Sequence, residues 1–395
     1  MDQNKLKVLF IAKNVPVKGI HFSRIVIDIA HKISAFCEVA FLYPNETVPF
    51  GFHFLKKYKP FYRLKSWDFE GFHISVTNYI RFPFRKMAFW FWNKLSKNDI
   101  KFYNQTGPFD LIHAHYLFPD GYLAYLYSKK YNIPYLITIR NADIRHLKSI
   151  SKRNPDVKKA MLIIWNAQKV LSLNLSYKEF VDDLFGISSI IIPHGIEESA
   201  YFEGKTDRQN KVKITTVSEA IKRKNINWII KAVYNYKGKQ EIELNVIGSG
   251  PLMNELKQLA NDDKRINFLG KIDRSAVLKH LQDSDIFALP SFDESFGLVY
   301  LEAAATKNAI IGFKHEGVWG IFEDQHEMFF SENEEHFQKI LHNLIDDQAL
   351  RTKLQQAAFN KAKKLRWDNI TKLYKQVYEE SIHTFKVTPG NSFIE

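Results

Sequence analysis

Apolar residues in this chain come in short runs separated by longer periodic stretches. KVLFIA, CEVAFLYP, FDLIHAH, IPYLITI, KVLSLN and SIIIPHG punctuate the first half. Between them lie segments with helical periodicity, among them IHFSRIVIDIAHKI, DGYLAYLYSKKYN and SYKEFVDDLFG. A short, continuous apolar run suits a strand covered by helices on both faces. Such runs alternating with helices predict a parallel sheet. The second half repeats the plan, with strands VKITTVS, IELNVIG, INFLG, DIFALP and AIIGF. Its helices are NINWIIKAVYNY, PLMNELKQLAND, DRSAVLKHLQD and GLVYLEAAATK. The polar stretch from Glu197 to Asn210 lies between the halves and reads as a linker. The pattern predicts an α/β protein of two doubly wound, Rossmann-like domains, residues 1–198 and 199–370, with a helix in 371–395 crossing back to the first. Ligands in such sheets bind beyond the carboxyl ends of the strands. Two domains facing each other therefore predict a site in a central cleft, lined by residues just after each strand.

Composition narrows the class. A length of 395 residues suits two domains, and 45% hydrophobic with 25% charged residues excludes disordered and collagen-like chains. The single cysteine, Cys37, cannot form an internal bridge, and no cysteine cluster is present for zinc. A reducing, cytoplasmic setting is expected. The N-terminal apolar run, Val8 to Ala12, is too short for a signal-peptide core or a membrane span.

Charge changes the picture further. Residues 1–198 hold 28 Lys+Arg and 16 Asp+Glu, whereas residues 199–395 hold 28 and 27, so nearly all of the +13 excess sits in the first half. Such a field attracts an anionic partner. The excess peaks in residues 52–104, with 11 Lys+Arg, 3 Asp+Glu and 17 aromatics, including RFPFRKMAFWFWNKLSK. Apolar rings flanked by cations suit docking on an anionic membrane surface, and a peripheral location on the inner face of the cell membrane is expected. No nucleic-acid-binding motif accompanies them, and nucleic acid is not an expected partner.

The most informative segment is DIFALPSFDESFGLVYLEAAATK. A strand runs into a polar loop carrying Glu294, and a helix opens near Phe296 with Glu302 about two turns in. The start of a helix offers free N–H groups, here from Phe296, Gly297 and Leu298, that suit phosphate oxygens. Gly297 permits close approach of a ligand to the backbone. Two carboxylates beside a phosphate site suit the hydroxyls of a sugar and a ribose.

PSFDESFGLVYLEAAA resembles the signature of retaining glycosyltransferases of family 4, the bacterial polysaccharide-biosynthesis type with the GT-B fold. That signature sets two glutamates with seven residues between them, the first within P-S-x-x-E-x-F-G, and ends in E-A. IELNVIGSGPLMNELKQLA is similar to the family's strand, Gly-x-Gly-Pro turn and helix. FDLIHAHYLFPDGYLA resembles its acceptor-domain strand, and IIPHGIE its domain-linking segment. The resemblance spans roughly residues 5–380. It implies that Glu294 contacts the transferred sugar, that Glu302 holds the ribose, and that His115 ends a strand facing the cleft. Donor-binding positions carried over are Gly19, Ser218, Glu219, Lys224, Gly248, Phe296, Gly297, Leu298 and Glu302; catalytic positions are Glu294, His115 and Lys224.

Two positions depart from the pattern. The family has an Arg and a Lys that clamp the diphosphate after the first strand of the second domain. VSEAIKRKNINWII supplies Lys224, but Glu219 stands where the Arg is expected, and a carboxylate there repels a diphosphate unless a cation intervenes. Lys222 and Arg223 are the nearby cations. The other departure is Lys314-His315-Glu316-Gly317-Val318, where the family often shows Gly-Gly.

Three patterns suggest other chemistry and do not complete it. His113 and His115 share a strand face as a metal pair does, without a third ligand nearby. Asp283-Ser284-Asp285 precedes a strand, whereas a metal-binding Asp-x-Asp ends one. Gly248-Ser249-Gly250 has Met253 where a dinucleotide fingerprint needs its third glycine. No metal or cofactor is expected. The expected function is metal-independent transfer of a hexose from a nucleotide-diphosphate sugar to a hydroxyl of a glycan or lipid-linked acceptor in cell-surface polysaccharide synthesis. The alternatives are a nucleotide-sugar epimerase or a phosphorylase on the same fold, and a non-catalytic glycan- or lipid-binding protein.

Overall fold

A computed structural model of the chain describes residues 5–17, 23–47, 61–62, 64–80, 94–204 and 211–387. Two units emerge. The first comprises Met1–Leu173, Tyr177–Ile192 and Thr371–Glu395; the second comprises Asn174–Ser176 and Pro193–Ile370.

The first unit is built on β1 (Leu6–Ile11), β2 (Cys37–Thr47), β3 (Trp67–Phe69), β4 (Phe72–Ile80), β5 (Leu111–Ala114), β6 (Tyr135–Thr138), β7 (Lys169–Ser172) and β8 (Ile190–Ile191). Their order is β3-β4-β2-β1-β5-β6-β7-β8. Every pairing is parallel except the β3–β4 hairpin. The connecting helices are α1 (Ile25–Ile33), α2 (Lys97–Thr106), α3 (Tyr122–Tyr131), α4 (Asn141–Ser149), α5 (Pro155–Trp165) and α6 (Leu175–Phe185). Strand β1 has Val8, Leu9, Phe10 and Ile11 all buried, which is why its sequence shows no alternation.

The hairpin was not legible as strand. It turns at Glu70 and Gly71, both at positive φ, inside the basic, aromatic stretch that otherwise suggests a membrane surface. Several of those aromatics build this unit instead. Trp67 meets Tyr43 edge-on at 5.4 Å, Phe72 meets Phe41 at 5.2 Å, and Tyr79 and Phe102 are buried. Arg81, Arg85, Lys86, Trp90 and Trp92, and also Gly19, lie outside the described residues. Among the described residues, no helix is long and apolar enough to cross a membrane.

The second unit holds β9 (Lys211–Val217), β10 (Glu241–Ile247), β11 (Ile266–Gly270), β12 (Ile286–Ala288), β13 (Ala309–Phe313) and β14 (Phe329–Ser331), in the order β11-β10-β9-β12-β13-β14. All are parallel. Helices α7 (Ile226–Asn235), α8 (Met253–Ala260), α9 (Arg274–Gln282), α10 (Leu298–Ala305), α11 (Glu334–Asp346) and α12 (Gln348–Lys364) surround the sheet, and α13 (Trp367–Val387) follows. Helix α7 buries Ile226, Ile229, Ile230 and Val233, a stripe of helical spacing, on Ile214 and Leu244 of the sheet and Phe337 and Leu341 of α11. Each such side chain contributes about 1.5–3 kcal/mol on leaving water. Side-chain caps set the ends: Asp273 accepts from the N–H of Ala276, and Asn333 from that of His336. Strand β14 escaped sequence reading because three residues inside DQHEMFFSEN carry no period.

In both sheets the order reverses beside the first strand of the unit, between β1 and β5 and between β9 and β12. Such reversals leave an opening beyond the strand ends where ligands settle.

Candidate active site

In the second unit, the loops after β9 and β12 flank that reversal, and they carry Lys224 and Glu294. A short 3-10 turn, Lys222–Lys224, ends at Asn225 in the left-handed conformation. Asn225 Nδ2 donates to the Pro290 carbonyl at 2.8 Å, and the Phe292 N–H donates to the Arg223 carbonyl at 2.9 Å. The two loops are thus tied together. Lys224 Nζ donates to Glu294 Oε2, and both residues are more than 90% buried. Ser291 Oγ and the Ser295 N–H add bonds to the same carboxylate, each at 3.2 Å.

Helix α10 begins at Leu298, two residues after Phe296, because Gly297 precedes it at φ +75°. A Cβ at Gly297 would stand 2.6 Å from the Tyr300 ring. Phe296 is buried against His194, with ring centroids 4.8 Å apart, while Leu298 is exposed. Glu302, the fifth residue of α10, pairs with Arg274 of α9 at 2.9 Å. Burial pushes the Glu302 carboxyl up, and Arg274 offsets part of that rise.

Gly248 has φ +134°, and a Cβ there would collide with the Ser218 carbonyl oxygen. At Gly250 a Cβ would meet the Ala220 oxygen at 2.6 Å. The Gly-Ser-Gly turn therefore exists so that the loop after β10 can lie on Ser218–Ala220. Backbone bonds from Ala220 N–H to the Ser249 carbonyl and from Leu252 N–H to the Ala220 carbonyl, both 3.0 Å, fix that contact. Ser218 Oγ is buried with no partner among the described residues. Glu219 is exposed on the same loop. Arg223 Nη1 donates to the Asp293 carbonyl at 3.2 Å.

In the first unit, His115 follows β5 and is fully buried. Its ring lies 4.1 Å from that of His113 and 4.4 Å from Phe10. Burial first, then His113 and Arg140, hold its pKa well below the usual histidine value, so the ring is neutral. Arg140 Nη2 approaches Nδ1 at 3.4 Å. Since guanidinium can only donate, the ring proton belongs on Nε2, which has no partner among the described residues. The segments after β5 and β6 carry two buried acids that sequence reading passed over. Asp120 Oδ2 accepts the Lys13 N–H at 3.2 Å, and burial pushes its carboxyl well above the usual range. Asp143, pushed up to about 6 by burial, accepts the N–H groups of Leu117 and Arg140 at 3.0 Å each. The available signal was that Asp120 falls within the strand-end segment HAHYLFPDG.

His113 has a structural part. Tyr378 of α13 and Thr138 of β6 take its two ring nitrogens at 2.7 and 2.8 Å. Burial, then Arg140, hold it neutral in the folded chain. A depressed folded pKa contributes stability that is present above the unfolded value near 6.5 and lost as the pH falls toward the folded one. His113→Gln lacks that slope. The stability gap between wild type and variant should shrink by up to about 1.4 kcal/mol per pH unit below about pH 6. Urea titrations from pH 7.5 to 5 read it directly; a constant gap would mean that His113 titrates alike in the folded and unfolded chain.

Asp285 Oδ2 accepts the Lys213 N–H at 2.9 Å and so joins β12 to β9. Among the described residues, no group of three or more His, Cys, Asp or Glu could hold a metal ion.

Residues 198–361 match the family model described as Glycosyl transferases group 1. An uncharacterized glycosyltransferase of Methanocaldococcus jannaschii is 26% identical over 294 residues, covering 73% of this chain and 79% of the relative. The alpha-monoglucosyldiacylglycerol synthase of Acholeplasma laidlawii is 25% identical over 306 residues, 70% of this chain and 74% of the relative. Among solved structures, Anabaena HepE in complex with UDP and glucose superposes with a TM-score of 0.64 at 17% identity, covering 95% of this chain and 99% of the other. That likeness places the chain in the two-domain GT-B fold.

Proposed function

We propose that this chain, a group 1 glycosyltransferase that transfers a sugar from a nucleotide-sugar donor, moves a hexose from a UDP-linked donor to a hydroxyl of a glycan or lipid-linked acceptor, with retention of configuration. The observation that carries the reading is the buried Lys224–Glu294 pair at the strand-order reversal of the second sheet, beside the start of α10. A lysine there supplies a cation for the departing diphosphate, and the first N–H groups of α10 point at the same oxygens. Glu294 accepts hydrogen bonds from sugar hydroxyls, and Glu302 exchanges its bond with Arg274 for the ribose hydroxyls. His115, neutral with its proton on Nε2, donates to the sugar. The acceptor oxygen bonds to the anomeric carbon on the face the diphosphate leaves, and the departing phosphate oxygen takes the acceptor's proton. The protein's part is orientation and charge stabilisation. UDP is favoured because the HepE structure holds it. A lipid-linked acceptor at an anionic membrane surface is favoured by the +8 excess of residues 52–104 and by the lipid product in the name of the Acholeplasma relative. Metal is not part of the proposal.

Glu302→Ala is expected to weaken UDP binding about 10- to 100-fold, the loss of a charged hydrogen bond, while α10 keeps its helix propensity. Calorimetric titration of UDP checks it, and equal affinity for wild type and variant removes Glu302 from the ribose. Flotation with anionic vesicles at low salt checks the acceptor side. A chain that stays in the soluble fraction points to a soluble acceptor.

A further inference from the structure

Three neighbouring strands of the first sheet, β1, β5 and β6, lead into loops that share one aromatic ring and two cations. Lys13 and Asn14 follow β1, His115 and Tyr116 follow β5, and Arg140 follows β6. Arg140 is only 5% exposed. Its Nε donates to the His115 carbonyl at 3.0 Å, and its guanidinium lies over the Tyr116 ring, 5.6 Å from the centroid. Lys13 Nζ lies over the same ring at 6.0 Å, and Asn14 Nδ2 donates to the Tyr116 hydroxyl at 2.7 Å. These loops stand at the strand-order reversal of the first sheet, where ligands settle.

What the cluster lacks is an anion. Among the described residues, no carboxylate pairs with the side chain of Arg140 or of Lys13. The two buried acids of these loops do not serve. Asp143 accepts the Leu117 N–H on Oδ1 and the Arg140 backbone N–H on Oδ2. Asp120 accepts the Lys13 backbone N–H, and burial favours its neutral form. A buried cation without a counter-ion is destabilising. The His115 carbonyl and the Tyr116 ring offset part of that, yet a neutral donor would hold the carbonyl as well. A guanidinium offers a planar fork that matches two oxygens of a phosphate or carboxylate. The Lys+Arg excess of the first half draws such groups toward this unit.

We propose that Arg140 and Lys13 form an anion site, at the carboxyl ends of β1, β5 and β6, that holds a phosphate or carboxylate group of the acceptor. The inference deepens the proposed function and rests on the reading of the first unit as the acceptor side. The acceptor is then an anionic molecule, anchored by its charge so that its hydroxyl is presented in one orientation.

Glycerol 3-phosphate, glycerate and glycerol are small hydroxylated molecules that carry a phosphate, a carboxylate or neither. Their binding to the full chain is measured by calorimetry, with and without excess UDP, on wild type, Arg140→Gln, Arg140→Lys and Lys13→Gln. With UDP present, wild type is expected to bind one of the two anions at least about tenfold tighter than glycerol. Arg140→Gln should weaken that anion about 10- to 100-fold, Arg140→Lys less, and Lys13→Gln about three- to tenfold, with UDP affinity changed by less than about twofold. The Lys13 side chain is half-buried and its bond to Asp120 is made by the backbone, so Lys13→Gln carries the test if Arg140→Gln does not fold. The preferred anion identifies the group the acceptor bears. A wild type that binds neither anion better than glycerol, or anion affinities unmoved in the Gln variants that fold, overturns the site. Anions that bind alone but are displaced by UDP, with UDP itself weakened in the Gln variants, leave the anion site standing and overturn the reading of the first unit as the acceptor side.

Discussion

Replacing Lys224 by Ala is expected to destabilise the protein by about 3–5 kcal/mol and to cut turnover by about two to three orders of magnitude. Two separate causes are at work. In the resting fold, Lys224 neutralises a Glu294 carboxylate that is more than 90% buried. Removing the lysine takes its cation away from a carboxylate that is out of reach of bulk water, and the bonds from Ser291 and Ser295 do not replace it. In the proposed reaction, the same lysine supplies charge to the leaving diphosphate. The double variant Lys224→Ala with Glu294→Ala separates the causes. It should recover most of the lost stability, because neither charge is left buried alone, and should recover none of the turnover. Urea midpoints and initial rates on the three proteins decide it. A single variant as stable as wild type would show that the pair contributes nothing to the fold. A double variant with restored turnover would remove both residues from the chemistry.

Gly248→Ala is the second large effect, and it is steric. The added Cβ would overlap the Ser218 carbonyl oxygen, and φ +134° is a conformation that side chains rarely adopt. The loops after β9 and β10 must then part, breaking the bond from Ala220 N–H to Ser249 and leaving Ser218 and Lys224 on a displaced segment. A loss of at least about 3 kcal/mol is expected. Gly71→Ala is the control. Its φ is +84°, but no atom lies within 4 Å of the added carbon. Strain alone should cost about 1–2 kcal/mol there. Equal melting temperatures for the two variants would show that crowding at Ser218 is not what requires Gly248.

Much of this site could be read from the chain because its residues follow strands whose apolar runs are unmistakable. Lys224 and Glu294 stand just after β9 and β12, and each run is bounded by polar residues. What could not be read are the contacts between segments far apart in sequence. Arg274 meets Glu302 across 28 residues, Glu316 meets Glu294 across 22, and Asn174 reaches Gly317 across 143. None of these pairs has a periodic or motif-like spacing. Gly248 and Gly250 read as a Gly-x-Gly-Pro turn and as an incomplete dinucleotide fingerprint. Their cause is the nearness of Ser218 and Ala220, and a one-dimensional pattern does not contain it. The β3–β4 hairpin was hidden differently: its aromatics and cations are those of a surface-seeking segment, and pairing with β2 and β3 is what makes β4 a strand.

The bond between His113 and Tyr378 has a consequence for how the chain is made. β5 leaves the ribosome early, whereas Tyr378, which bonds its His113, lies near the middle of α13. At about 5–20 residues per second, the 265 residues between them take roughly 13–53 s to synthesise. Through that interval His113 lacks its Tyr378 partner, and every residue of the second unit is made before Thr371–Glu395, the part of the first unit that carries Tyr378. The unit begun first is the one whose sequence is completed last.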